Sequence, residues 1–71
     1  MNHAAAIHLA EPYVYGSARR DVWCAIVAEP GSTVFDIVRD SRLTVDAVER
    51  ALAEMRDARE IEPCGSGWRV V

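Results

Sequence analysis

Apolar positions recur along the chain in three helical patterns, separated by Pro, Gly, Ser and Thr. The first pattern follows Ser17, a residue type that caps helix N-termini, and stops at the Pro30-Gly31 step. Its apolar side chains fall on one face of a helix and are expected in the core: Val22, Trp23, Ile26 and Val27. Trp23, the largest of them, is expected to anchor that core.

The second pattern predicts a helix that begins at Ser32 or Thr33 and ends near Asp40-Ser41. Thr33 and Asp36 have the spacing of a capping box, with Asp in place of the usual Glu. The inward residues are expected to be Val34, Ile37 and Val38, with Phe35 partly covered.

The third helix has the clearest pattern. Thr44 is the predicted N-cap, and the apolar residues Leu43 and Val48 flank it with the spacing of a hydrophobic staple. The helix is expected to end around Ala58-Arg59. Its buried face recurs at helical spacing: Val48, Ala51, Leu52 and Met55.

The C-terminal residues predict a β-hairpin. Ile61 opens the first strand, residues 65–67 form the turn, and the second strand contains Trp68, Val70 and Val71. Pro63 confines the first strand to a sheet edge, because proline has no backbone N–H to donate. The predicted fold class is therefore α+β, mainly α, with three helices before a hairpin.

Residues 1–16 form a distinct N-terminal arm, ahead of a domain predicted over residues 17–71. The arm alternates apolar side chains around Pro12, and two of them, Tyr13 and Tyr15, are unusual on a free tail. A frayed terminus is the alternative. We favour an arm that packs on the domain or on a second copy of the chain.

This order of elements resembles the winged helix-turn-helix superfamily from Val22 to Val71. STVFDIVRD is similar to the family's second helix, SRLT to its tight turn, VDAVERALAEMRDA to its third or recognition helix, and REIEPCGSGWRVV to its wing. Ala58 stands where many members have a Gly that ends the third helix. The resemblance therefore does not fix the residue at which helix three ends. The resemblance implies sequence-specific binding of double-stranded DNA by helix three and the wing, as in a transcriptional regulator.

The resemblance also implies which residues meet DNA. In this fold the start of helix one, the turn and the wing flank the recognition helix and commonly touch phosphate. The expected DNA-binding residues are Arg19, Arg39, Ser41, Arg42, Thr44, Ala47, Arg50, Ser66 and Arg69.

Charge supports a second hypothesis. The 71-residue chain has a formal net charge of −3, and all eight of its positive charges are Arg. This balance argues against binding to nucleic acid by bulk charge. The third helix carries four acids and two arginines, a pattern that also suits a winged helix that binds a protein partner, as an adaptor or inhibitor. Because so small a core rarely suffices alone, a homodimer is open as well.

Other chemistry is not expected. No nucleophile has a base at a recognisable spacing, and His3, His8, Cys24 and Cys64 match no zinc pattern, so we expect neither an enzyme, a metal nor a cofactor. The start of the chain lacks the features of a secretory leader, and no run of residues is apolar enough for a membrane span. We expect a cytoplasmic protein with reduced cysteines.

Overall fold

A computed structural model describes residues 16–71. Within them, three helices precede an antiparallel hairpin, as predicted: α1 (Ala18–Ala28), α2 (Val34–Ser41), α3 (Val45–Asp57), β1 (Ile61–Cys64) and β2 (Gly67–Val70). The α+β, mainly α prediction is confirmed, and the order of elements is consistent with a winged-helix layout. The predicted arm, residues 1–16, lies outside the described residues except for Gly16.

Each helix begins at the predicted N-cap. The Ser17 side chain accepts a hydrogen bond from the backbone N–H of Arg20, at 3.2 Å. At α2 both bonds of the capping box form, 3.2 Å from the Asp36 N–H to the Thr33 hydroxyl and 3.1 Å from the Thr33 N–H to the Asp36 carboxylate. Such caps satisfy N–H groups that have no partner inside the helix, and each is worth about 1 kcal/mol.

The core lies where the three helices meet the hairpin. Ile26, Ile37 and Met55, one from each helix, are its largest fully buried side chains. Trp23, predicted as the largest anchor of the core, packs against it but is only partly buried. The buried hydrophobic set is Val22, Ala25, Ile26, Ile37, Val48, Ala51, Leu52, Met55 and Ile61.

Val27, predicted in the core, and Phe35, predicted to be partly covered, are both exposed, because the buried stripe of each helix is narrower than expected. On α1 the stripe is centred on Val22 and includes Ala25, and Val27 is 48% exposed. On α2 Phe35 is 78% exposed, since it lies two residues before the buried Ile37 and therefore about 200° around the helix.

The backbone at the end of α3 shows why Ala58 can stand where many winged helices have Gly. Ala58 has an ordinary right-handed conformation, and the left-handed residue is Arg59, with φ of 61°. The Glu60 N–H donates to the Met55 carbonyl at 2.9 Å, and the Arg59 N–H donates to the Arg56 carbonyl at 2.9 Å. These two bonds define a Schellman motif in which Arg59 takes the position usually held by Gly.

The hairpin pairs Ile61 with Val70 and Cys64 with Gly67, so the turn is shorter than predicted and Gly67 belongs to β2. Val71 lies beyond the strand, contrary to the prediction. Trp68 also exchanges backbone hydrogen bonds with the segment before α2, to which it donates at 3.0 Å and from which it accepts at 2.8 Å. β2 is therefore flanked on both sides, and β1 with Pro63 is an edge strand, as predicted.

Gly67 makes this three-segment arrangement possible. A Cβ atom at that position would lie 2.1 Å from the carbonyl oxygen of Gly31 and 2.2 Å from that of Ser32. Only glycine lets the two backbones approach so closely. The hairpin is thereby held against the start of α2.

Candidate nucleic-acid interface

The outward face of α3 is the surface that the sequence analysis assigned to DNA. Val48, Leu52 and Met55 bury the opposite side of the helix, so the outward face is left to four residues that are all exposed: Asp46, Arg50, Ala53 and Asp57. We call these four residues the α3 face. One helix thus anchors the core on one side and presents a charged surface on the other.

Neighbouring elements flank the α3 face on both sides. On one side the Arg19 Nε of α1 lies 3.7 Å from a carboxylate oxygen of Glu54. On the other side a shallow groove separates α3 from the hairpin, lined by Val34, Glu49, Leu52, Ala53, Arg56 and Trp68. The start of α1, the α3 face and the hairpin therefore follow one another across the molecule.

The turn before α3 places two hydroxyl groups at the helix N-terminus. The Ser41 hydroxyl accepts from the Leu43 N–H at 3.2 Å, and the Thr44 hydroxyl accepts from the Ala47 N–H at 3.1 Å. Each oxygen caps the local backbone, and each hydroxyl hydrogen is still able to donate to a bound anion. Arg42 stands between them with φ of 61° and an exposed side chain.

Three of the predicted DNA-binding arginines contact carboxylates. Arg19 faces Glu54, as described, and Arg69 of β2 forms an ion pair with Glu62, its cross-strand neighbour. Arg39 lies 3.1 Å from a carboxylate oxygen of Asp40, and the hydrogen bond and charge of Asp40 raise the pKa of Arg39. The positive charge of these three residues is locally balanced.

Arg42 and Arg50 differ from those three. Within residues 16–71 the side chain of neither residue has a hydrogen bond or an ion pair. Asp46 precedes Arg50 by one helical turn, a spacing that favours pairing, yet the two side chains are not within ion-pair distance. Among the described residues, the guanidinium groups of Arg42, in the turn before α3, and Arg50, in the N-terminal half of α3, are thus available to a ligand.

The hairpin residues divide between its two faces. Side chains alternate along a strand, so Arg69 lies on the opposite face from Trp68, which lines the groove beside α3. Ser66 is exposed in the turn. Ala47, also predicted to meet DNA, is only partly exposed and lies on the α1 side of the α3 face. The predicted residues therefore surround α3 from several directions and do not form a single dense basic cluster.

Two residues that line the groove, Val34 and Trp68, were not predicted from the sequence to belong to this surface. Trp68 was assigned only to a strand, and Val34 only to the core, whereas both line the groove beside α3. Both are partly buried and also pack against the core. The signal for Trp68 was a large aromatic residue in a short edge hairpin, where complete burial is rare.

Metal and redox groups do not add to this surface. Between residues 16 and 71, no cluster of three or more His, Cys, Asp or Glu side chains could hold a metal ion. His3 and His8 lie outside the described residues. Cys24 and Cys64 are free and partly buried.

No helix in the described part of the chain is long and apolar enough to cross a membrane.

Comparison of the chain with protein-family models, with curated proteins and with solved structures gave no match.

Proposed function

We propose that this chain is a winged helix-turn-helix protein that binds double-stranded DNA, with the α3 face in the major groove. The observation that carries the proposal is a pair of arginines, Arg42 just before α3 and Arg50 in its N-terminal half, whose side chains have no partner within residues 16–71. In helix-turn-helix proteins this half of the recognition helix contacts base edges. Arg50 has the chemistry to bind guanine through two hydrogen bonds, and Arg42, Ser41 and Thr44 to hold phosphate.

The ion pairs on the flanking arginines are compatible with this role. The side chains of Arg19, Arg39 and Arg69 are 44%, 64% and 57% exposed, so water screens their contacts with carboxylates. Exposed pairs of this kind are worth about 0–1 kcal/mol. A DNA phosphate can replace the carboxylate at little cost, and the flanking arginines then join Arg42 on the DNA backbone.

A role in transcription regulation, a cytoplasmic location and a homodimer complete the proposal. Two copies would double the small number of DNA contacts that one domain of this size offers, and two-fold symmetric operators match dimeric proteins of this class. The residues 1–16 are the candidate dimer arm. A measurement of the molecular mass in solution tests the dimer independently of DNA.

The experiment is selection of duplexes from a randomised pool, followed by affinity measurements on Arg50→Ala. We expect wild type to enrich one sequence, and Arg50→Ala to lose discrimination of about 1–3 kcal/mol at one guanine. The matched control is Arg56→Ala, which removes the same charge from the same helix at a side chain that contacts Asp57. Equal effects of the two substitutions on base preference would contradict the assigned face.

A second candidate function is binding to a protein partner. It is favoured by Phe35, which is 78% exposed at the start of α2, and by the four acids on α3. Phe is among the residue types enriched at protein interfaces relative to the rest of the protein surface. If no duplex binds wild type at low salt, this second function replaces the first.

A further inference from the structure

We propose that Glu49 is a specificity-determining residue that makes α3 prefer cytosine in its DNA site. The inference rests on the proposed DNA binding and names one base that the bound duplex must contain. It follows from a comparison of Glu49 with the other acids of the same helix.

The other three acids of α3 have local electrostatic partners. Glu54 contacts Arg19 at 3.7 Å, and Asp57 contacts Arg56 at 3.5 Å. Asp46 lies in the first turn, where the positive end of the helix dipole stabilises a carboxylate. Each of these three negative charges is therefore stabilised by a group within the folded chain itself.

Glu49 differs from these three acids. It lies beyond the first turn, and its side chain is exposed. Within residues 16–71 the Glu49 carboxylate has neither an ion pair nor a hydrogen bond. It stands directly before Arg50, on the side of α3 that borders the groove next to Trp68. A helix docked through the α3 face thus brings the Glu49 carboxylate to the DNA together with the Arg50 guanidinium.

The major-groove edges of the bases decide which of them accepts a carboxylate. An ionised carboxylate only accepts hydrogen bonds. Cytosine presents an amino donor there, whereas guanine and thymine present acceptors that repel the carboxylate, and adenine presents its donor beside the N7 acceptor. Cytosine is therefore the base that Glu49 fits, as Arg50 fits guanine.

Repulsion from phosphates sharpens this preference. A carboxylate on the docking face weakens binding to every duplex, because the DNA backbone is negatively charged. Only a sequence with cytosine at the contacted position offsets this repulsion, because the cytosine amino group donates a hydrogen bond to the Glu49 carboxylate. The residue thus lowers affinity for unrelated duplexes more than for the preferred one.

The test compares Glu49→Gln with Glu54→Gln, which removes the same charge from the same helix. With the duplex that wild type selects, and variants that carry each other base pair at every position, we expect Glu49→Gln to lose about tenfold of the preference for cytosine at one position. Glu54→Gln should keep every base preference and change the affinity for all duplexes alike. Glu49→Ala serves as a second variant that cannot donate or accept through its side chain.

Two results overturn the inference, and they are distinguishable. If wild type selects a sequence but Glu49→Gln and Glu49→Ala keep all its base preferences, the role of Glu49 is wrong and DNA binding stands. If wild type enriches no duplex, the proposed function fails and the role of Glu49 fails with it.

Discussion

Substitution of Gly67 by alanine should leave most of the molecules unfolded, because this glycine lies where β2 meets the segment before α2. The added Cβ would lie 2.1 Å from the Gly31 oxygen and 2.2 Å from the Ser32 oxygen. Carbon and oxygen atoms in close contact lie about 3.3 Å apart, so the two backbones must separate by about 1 Å. The hydrogen bonds that join Trp68 to this segment, at 2.8 and 3.0 Å, do not survive that shift.

The cost follows from these losses. Two backbone hydrogen bonds are worth about 1 kcal/mol each, and forced overpacking costs about 1–3 kcal/mol, so the free energy of unfolding should fall by about 3–5 kcal/mol. A core of this size supplies about 3–5 kcal/mol in total. Urea unfolding followed by tryptophan fluorescence measures the change, because Trp68 adjoins the disrupted contact.

Gly65→Ala is the matched control in the same hairpin. Gly65 has φ of 61° but open space around it, so alanine there meets only backbone strain, about 1–2 kcal/mol. The loss in Gly67→Ala should exceed the loss in Gly65→Ala. If the two variants are equally stable, the close approach of the strands is not what requires glycine at position 67.

Two further predictions concern helix ends. Arg59→Gly should raise the free energy of unfolding by about 1 kcal/mol, because Arg59 holds a left-handed φ of 61° in the Schellman motif. Arg59→Ala removes the same charge and should not raise the free energy of unfolding. Equal urea midpoints for the two variants would contradict this prediction. The pKa of Asp36 lies below the usual value of an aspartate side chain, chiefly because the backbone N–H of Thr33, and then its hydroxyl, form hydrogen bonds with the carboxylate. The stability that Asp36 contributes is complete above the ordinary pKa of an aspartate and is lost as pH falls through the lowered pKa of the folded state. Acid titration of unfolding should therefore show a component that Asp36→Asn abolishes, and an unchanged titration in that variant would refute the assignment.

The features predicted correctly from sequence are those set by neighbouring residues. Thr33 with Asp36 starts α2 through bonds three residues apart, and Thr44 starts α3 in the same way. Such caps depend only on residue type and spacing, so a single sequence is sufficient to locate them. The fold class could be predicted because each of these caps precedes a segment whose apolar residues recur with helical spacing.

The features missed depend on contacts between distant residues. Ser32 joins β2 only because Gly67, 35 positions later, leaves room for it. Arg19 meets Glu54 across two helices, a pairing that no spacing rule contains. Sequence therefore identified the candidate DNA-binding residues but not which of them carry unbalanced charge.

The most direct test of the account is the salt dependence of duplex binding. If Arg19, Arg39, Arg42 and Arg69 each hold one phosphate, the logarithm of the affinity should fall with the logarithm of the salt concentration with a slope of about −3.6 per domain. That slope is about a 150-fold loss of affinity between about 50 and 200 mM salt. Binding that is absent at the lower concentration, or that salt leaves unchanged, contradicts DNA recognition by α3 and the wing.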